Sequence, residues 1–305
     1  MHGSGSFFGG KVHRLVTTFR WLTLFLIVNV ASSHYGDDWK QVIWGRSVNN
    51  TVVIIPATYV WLSFALNAFC SFMKVGRNET VILALDIKTH DTLKASGMPV
   101  YMDPGITPTI GNTDNVLYGQ EGHSRMMCSK LAAVTNVLKL GLKVLYCDSD
   151  IYVLKDPFKE IPTLDITFQF GGMGDPKMAG AKNFGSMACF PEEYQNSACK
   201  INAGWFFAYP DPKVLAFLSK ANQTCFARRS NDQYVMSMLL MDAYGHTHNA
   251  TEFPSWGCYD PCKYANGRTF FVYCRPQQEN VDPVMVHANW IMHKAKTGVV
   301  YKKRQ

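Results

Sequence analysis

This sequence has little charge. Asp, Glu, Lys and Arg make up 17% of 305 residues, too few for a disordered tail or a long coiled coil. Internal repeats are also absent, as are a Pro- or Ser-rich linker between the halves and the Gly/Pro enrichment of collagen-like or low-complexity chains. With 47% hydrophobic and 13% aromatic residues the chain is globular, and its length supports a large core rather than a disulfide-stapled mini-protein. A net charge of +7 favours anionic partners in general. However, Lys302, Lys303 and Arg304 sit in a basic C-terminal tail (299–305), while Lys11, Arg14 and Arg20 precede an apolar run. Without those residues the body is nearly neutral, so nucleic acid is not an expected partner.

The basic stretch leads into an uncharged run from Trp21 to Ser33. Residues 1–33 therefore read as a secretory signal or a single N-terminal signal anchor: about 13 apolar residues, or about 17 counted back to Leu15, against the roughly 20 that span a bilayer. Either places the body in a lumen or outside the cell. Sequons at Asn49, Asn78, Asn222 and Asn249 agree, and mark the chain as a glycoprotein. So do nine cysteines, whose odd number leaves at least one unpaired. Cys189 and Cys199, and Cys258, Cys262 and Cys274, are close enough to form disulfide bonds within their groups, although spacing does not fix connectivity. A zinc site at Cys258, Cys262 and Cys274 lacks a clear fourth ligand. A second uncharged run, Ser47 to Met73, is interrupted by Pro56 and opens with the β-branched Thr51 to Ile55, which favours a buried strand and helix over a second membrane span.

Strand-like and helix-like runs alternate through the first half: strands at 51–55, 81–85, 100–102 and 142–146, helices at 59–74, 89–96 and 124–140. This is the pattern of parallel strands joined by crossover helices. The second half is more irregular, with strands expected at 166–170, 186–190, 205–209, 270–273 and 284–286 and helices at 212–222 and 232–244. The expected fold is a single α/β domain over residues 47–298 with a doubly wound, Rossmann-like mixed sheet.

Such sheets bind ligands beyond the carboxyl ends of their strands. The strand ending at Tyr146 runs into Cys147-Asp148-Ser149-Asp150. Two carboxylates that close repel unless a cation lies between them, and their oxygens suit Mg²⁺ or Mn²⁺ bridging to a diphosphate leaving group. A solvated turn is the plain alternative. An aspartyl-phosphate phosphatase also places D-x-D at a strand end, but expects Thr or Val where this chain has Tyr152.

Five motifs extend the pair: Leu145-Tyr146-Cys147-Asp148-Ser149-Asp150, Leu154-Lys155-Asp156-Pro157-Phe158, Asn202-Ala203-Gly204-Trp205-Phe206-Phe207, Asn231-Asp232-Gln233 and His287-Ala288-Asn289-Trp290. In this order they resemble the nucleotide-diphospho-sugar transferase domain of glycosyltransferase family 77, which includes plant rhamnogalacturonan-II xylosyltransferases and arabinosyl- or galactosyltransferases. The resemblance covers roughly Thr51 to Lys296. It implies a GT-A fold, a UDP-sugar donor, a glycan or glycoprotein acceptor, Mn²⁺ or Mg²⁺, retaining transfer that makes an α-linkage, and residence at the Golgi membrane on the luminal side. Secretion or the ER lumen are the alternative locations.

By the same resemblance Asp148, Asp150 and His287 would hold the metal. Thr58, Tyr59 and Asp86 would contact the nucleoside; Lys130, Ser149, Asn202, Gly204, Asn289 and Lys294 would line the donor diphosphate and sugar. Asp232 would stand beneath the anomeric carbon, flanked by Asn231 and Gln233. Simpler roles compete at several positions: Asp86 and Asp232 as helix caps, Gly204 as a place for close backbone passage. The Trp256–Cys274 stretch departs from the plant pattern and bears on the acceptor. A catalytically silent luminal carbohydrate-binding protein is the competing function, although an empty charged constellation is costly to keep.

Overall fold

The computed structural model describes residues 38–103, 121–171, 201–245, 253–260, 263–267, 270 and 283–289. The chain divides into residues 1–38 and one compact unit, Trp39–Gln305, which carries the sheets and the site. The leader, the C-terminal tail, Lys294, the Asn249 sequon, the strand expected at 186–190, and Cys189, Cys199, Cys262 and Cys274 lie outside the described residues.

Helix α1 (Asp38–Arg46) leads into β1 (Thr51–Ala57), a single 3₁₀ turn (Tyr59–Trp61) and α2 (Leu62–Lys74). The uncharged stretch around Pro56 is thus a buried strand and an amphipathic helix, as its sequence suggests. Among the described residues no helix is long and apolar enough to cross a membrane. Next come β2 (Thr80–Ala84), α3 (Ile87–Ala95), β3 (Val100–Tyr101), α4 (Glu121–Leu138) and β4 (Lys143–Cys147). The second half holds β5 (Ile151–Val153), β6 (Ile166–Phe170), β7 (Ile201–Ala208), α5 (Pro212–Arg228), α6 (Asp232–Gly245), β8 (Trp256–Cys258), β9 (Tyr264–Asn266) and β10 (Met285–His287).

Seven strands form one sheet in the order β3-β2-β1-β4-β7-β6-β8. β1 is parallel to both β2 and β4, and β7 is antiparallel to both β4 and β6. This is a doubly wound mixed α/β sheet, as the alternation of strands and helices in the sequence predicts. The order reverses between β1 and β4, which opens a crevice beyond their carboxyl ends.

Alternation along β1 sends Val52 and Ile54 into a core shared with α4, α5 and α6, and Val53, Ile55 and Ala57 into a second core against α2. Because both faces are covered, the strand reads as a continuous apolar run rather than an alternating one.

β7 carries the main irregularity. Phe168 of β6 faces Phe206 while Gln169 faces Asn202, so Ala203, Gly204 and Trp205 bulge out of the pairing with β6, although Trp205 still pairs with Cys147 of β4. Across the bulge the side-chain phase flips: Ala203 and Phe206 share the first core, while Trp205 and Phe207 turn to the second. The sequence placed this strand at 205–209; the structure begins it at Ile201, because the bulge breaks the alternation.

β5, β10 and β9 form a small second sheet, with β5 antiparallel to β10. Its first strand starts immediately after Asp150, so the D-x-D turn links the two sheets.

Candidate active site

Three main-chain arrangements assemble the acidic centre. β4 ends at Cys147, and the Asp148 amide donates to the Gly204 carbonyl at 2.7 Å, which fastens the turn to the β7 bulge. β10 then pairs with β5 in a register that sets His287 opposite Ile151, and the Ala288 amide donates to the Asp150 carbonyl at 2.9 Å. A residue more than a hundred positions away is thus brought beside Asp150 by one short antiparallel pairing.

The ligand atoms of Asp148, Asp150 and His287 lie within 4.8 Å of one another. His287 Nε2 is 3.0 Å from Asp150 Oδ1, and the histidine is buried while both aspartates are partly exposed. Tyr146 donates its hydroxyl to Asp148 Oδ1 at 2.8 Å, and Lys130 Nζ lies 3.5 Å from the same oxygen. Gly204 leaves the room: a Cβ there would stand 2.5 Å from Asp148 Oδ2 and would clash with the His287 ring. Two carboxylates, one imidazole and a glycine-lined gap between them could hold a divalent metal ion.

Lys130 joins this centre to the Asn231-Asp232-Gln233 motif. Its ammonium is 2.6 Å from Asp232 Oδ2 and 5.0 Å from the Tyr146 ring, and both Lys130 and Asp232 are buried. Burial alone would lower the lysine's pKa; Asp148 and Asp232 outweigh it and hold the ammonium protonated, above its ordinary value. Burial pushes the Asp232 carboxyl up, against the pull of Lys130. With the lysine firmly charged at 2.6 Å, we assign the pair as ionic. For His287, burial again works toward the neutral form, and Asp150 reverses it, raising the imidazole above its usual value. Burial also raises the Tyr146 phenol and the Cys147 thiol, which keeps both protonated.

The remaining expected residues sort clearly. Asn202 accepts from the Gly204 amide at 2.8 Å and shapes the bulge. Asn231 caps α6, accepting from the Tyr234 amide at 2.7 Å, and the Gln233 side-chain Oε1 accepts from the Ala203 amide at 3.4 Å. Ser149 sits in the turn between the two aspartates. Asn289 accepts from the Gly267 amide at 2.8 Å, a bond that ties the strand ends together.

Thr58, Tyr59 and Asp86 form a second group at the carboxyl ends of β1 and β2. Asp86 caps α3 through Thr89 and also accepts from the Tyr59 amide at 2.8 Å, so it is a cap and a tether at once. Tyr59 is exposed, with the Lys88 ammonium 3.8 Å from its ring centre.

Three supports escaped the sequence reading. Gln169 bonds His287 Nδ1 at 2.8 Å. Arg77 makes a two-pronged ion pair with Asp156, which explains the aspartate of the second motif. Cys128 and Cys225 form a disulfide between α4 and α5. Of these residues only Asp156 carried a sequence signal, as a member of a quoted motif.

A family model described as nucleotide-diphospho-sugar transferase matches residues 76–299. Among curated proteins, the chain is 27% identical over 177 residues to the Arabidopsis thaliana beta-arabinofuranosyltransferase RAY1, covering 56% of this chain and 29% of that protein. It is 26% identical over 151 residues to the UDP-D-xylose:L-fucose alpha-1,3-D-xylosyltransferase 3 of the same plant, covering 45% and 38%. The chain therefore spans well under half the length of these two relatives. Among solved structures, the apo form of the WbbM bifunctional glycosyltransferase aligns with a TM-score of 0.48 at 14% identity, covering 78% of this chain and 45% of that one.

Proposed function

This chain belongs to the nucleotide-diphospho-sugar transferase family, and from that premise we propose that it is a metal-dependent retaining glycosyltransferase. It moves xylose, galactose or arabinose from a UDP-sugar to a hydroxyl of a glycan or glycoprotein and makes an α-linkage. The observation that carries this reading is the convergence of Asp148, Asp150 and His287 around the gap left by Gly204.

Asp148, Asp150 and His287 would hold Mn²⁺ or Mg²⁺, whose charge neutralises the diphosphate as it leaves. The rest of the site belongs to the protein. Thr58, the exposed Tyr59 ring and Asp86 follow the carboxyl ends of β1 and β2, a position that supports their contact with the nucleoside. Lys130 adds positive charge between the acidic centre and Asp232, suited to a sugar-diphosphate bridge. Ser149, Asn202 and Asn289 are assigned to the donor pocket, Lys294 is assigned to it from the motif resemblance alone, and Gln233 and Asn231 flank Asp232.

Retention at the anomeric carbon follows one of two balanced routes. In the first, a carboxylate such as Asp232 attacks, UDP leaves with the bonding pair, and the acceptor oxygen then displaces the carboxylate while its proton passes to a phosphate oxygen of the released UDP. In the second, the acceptor oxygen bonds from the face UDP leaves, and its proton passes to the departing phosphate oxygen. The ion pair with Lys130 lowers the nucleophilicity of Asp232, which favours the second route, with Asp232 as an electrostatic support.

The leader and the exposed sequons support a glycoprotein on the luminal side of the Golgi. The test is UDP release by purified protein with Mn²⁺ and a panel of UDP-sugars. One preferred donor, hydrolysed without acceptor and faster with it, is expected. No release with any donor, together with no metal-dependent UDP binding, overturns the proposal, and Asp150→Ala should abolish that binding without unfolding the chain.

A further inference from the structure

We propose that Gln169 is a positioning residue of the metal centre: it dictates which nitrogen of His287 is presented to a divalent cation. The inference rests on the metal-dependent reading above.

Gln169 lies on β6, on neither the D-x-D turn nor the strand of His287, and it is completely buried. A buried carboxamide is costly unless its donors and acceptor are engaged, so its partners matter. Its Nε2 donates to the Tyr264 carbonyl at 3.1 Å, with Met285 Sδ a weaker second contact at 3.9 Å. A peptide carbonyl can only accept. That fixes the amide orientation and leaves Oε1 facing His287 Nδ1 at 2.8 Å.

Oε1 has no hydrogen to give. Nδ1 must therefore carry one and donate it, whether or not a cation is present. The flipped amide would set carbonyl against carbonyl at Tyr264 and lose that bond. Nε2 is consequently the nitrogen that can offer a lone pair. It is also the nitrogen 3.0 Å from Asp150 Oδ1, on a ring that packs against Gly204 together with Asp148 Oδ2.

The relay is anchored in main chain throughout. Tyr264 opens β9, which runs parallel to β10 with Tyr264 opposite Met285, two residues before the histidine. Gln169 is itself the residue at which the β6–β7 register shifts. One irregularity thus makes room at Gly204 and aims the amide at His287.

The experiment measures Mn²⁺ binding to the full chain, without nucleotide, from the free-ion electron paramagnetic resonance signal. Gln169→Leu removes the acceptor and should weaken binding about 10–100-fold. Gln169→Glu keeps an acceptor for Nδ1–H and, as the neutral acid that its buried place facing the Tyr264 carbonyl favours, a donor for that carbonyl, so binding should stay within roughly threefold of the parent. A role in packing alone predicts lower melting temperatures with no such split. Parent-like binding by Gln169→Leu, or equal losses in both variants, overturns the proposal. Should either variant fail to fold, ¹⁵N-histidine spectra of the Mg²⁺-loaded parent decide instead. Hydrogen on Nδ1 with Nε2 on the metal supports the inference, and hydrogen on Nε2 overturns it. A parent that binds no Mn²⁺, with or without UDP, is the distinct result that removes the metal reading itself and this inference with it.

Discussion

The Lys130 ammonium stands 2.6 Å from the Asp232 carboxylate, and neither group reaches solvent. One lysine, on the helix before the D-x-D strand, thereby holds together two motifs that are far apart in sequence. Removing it leaves a buried carboxylate without its counter-charge, which costs more than an ordinary surface pair is worth. We expect Lys130→Met to lose about 3–5 kcal/mol in urea unfolding. Lys130→Met with Asp232→Asn should recover part of that loss while remaining inactive. A double variant no more stable than the single one would mean the two side chains are not coupled.

Gly204 is the residue whose functional meaning the sequence left open between close backbone passage and site formation. A Cβ at this position would press on both Asp148 and His287. Gly204→Ala should therefore weaken Mn²⁺ binding by at least about tenfold at a stability cost of roughly 1–3 kcal/mol, the range of an overpacked site. Calorimetric titration together with a melting curve separates the two effects. Unchanged Mn²⁺ affinity would place the cation away from the gap.

How far the sequence could be read depended on the range of the interactions. The parallel core was legible because β1, β2 and β4 are buried on both faces and give short apolar runs followed by turn residues. The short strands Ile151–Val153, Trp256–Cys258 and Tyr264–Asn266 were not, since three residues show no periodicity and exist through long-range pairing. Asp148 and Asp150 announced themselves by spacing. His287 needed the family resemblance, and Gln169 was invisible because nothing local distinguishes a buried glutamine in Ile-Thr-Phe-Gln-Phe from a solvent-facing one.

Asp156 shows how a motif residue can serve the frame rather than the chemistry. Burial pushes its carboxyl up, but the Arg77 guanidinium and the Phe158 amide outweigh this and hold its pKa below the ordinary value. A carboxyl depressed on folding contributes stability in full above its unfolded value of about 3.9 and loses it as pH falls through the lower folded value. Asp156→Asn should thus be less stable than the parent by about 1.5–3 kcal/mol at pH 7. The gap should close below roughly pH 4. Denaturant melts at several pH values test this, and a gap that persists at low pH would show that the charge is not its source.

Glycan occupancy should follow exposure. Asn49 and Asn78 are exposed at the amino ends of β1 and β2, the edge opposite the candidate site, so glycans there would not obstruct donor or acceptor. Asn222 lies inside α5 with its side-chain oxygen buried, a poor acceptor once the helix has formed. Peptide mass mapping after enzymatic deglycosylation should find Asn49 and Asn78 modified and Asn222 bare. Efficient modification of Asn222 would mean that α5 is accessible during folding.

The Cys128–Cys225 disulfide joins the helix that carries Lys130 to the helix whose end leads into Asp232. Cys128 is two residues before the lysine. After α5, Arg229 turns the chain through a left-handed conformation, and the Ser230 amide returns to the Cys225 carbonyl at 3.2 Å before Asp232 opens α6. The crosslink therefore braces both halves of the buried ion pair from one side. Closing a loop of 97 residues limits the unfolded chain by about 4–5 kcal/mol in the chain-entropy account, and native disulfides return about 2–5 when measured. Replacing both cysteines by alanine should cost stability in that range. Because the brace acts on the pair rather than on the D-x-D turn, donor turnover should fall more than Mn²⁺ affinity. A variant that keeps turnover while losing stability would show that the disulfide supports the fold alone.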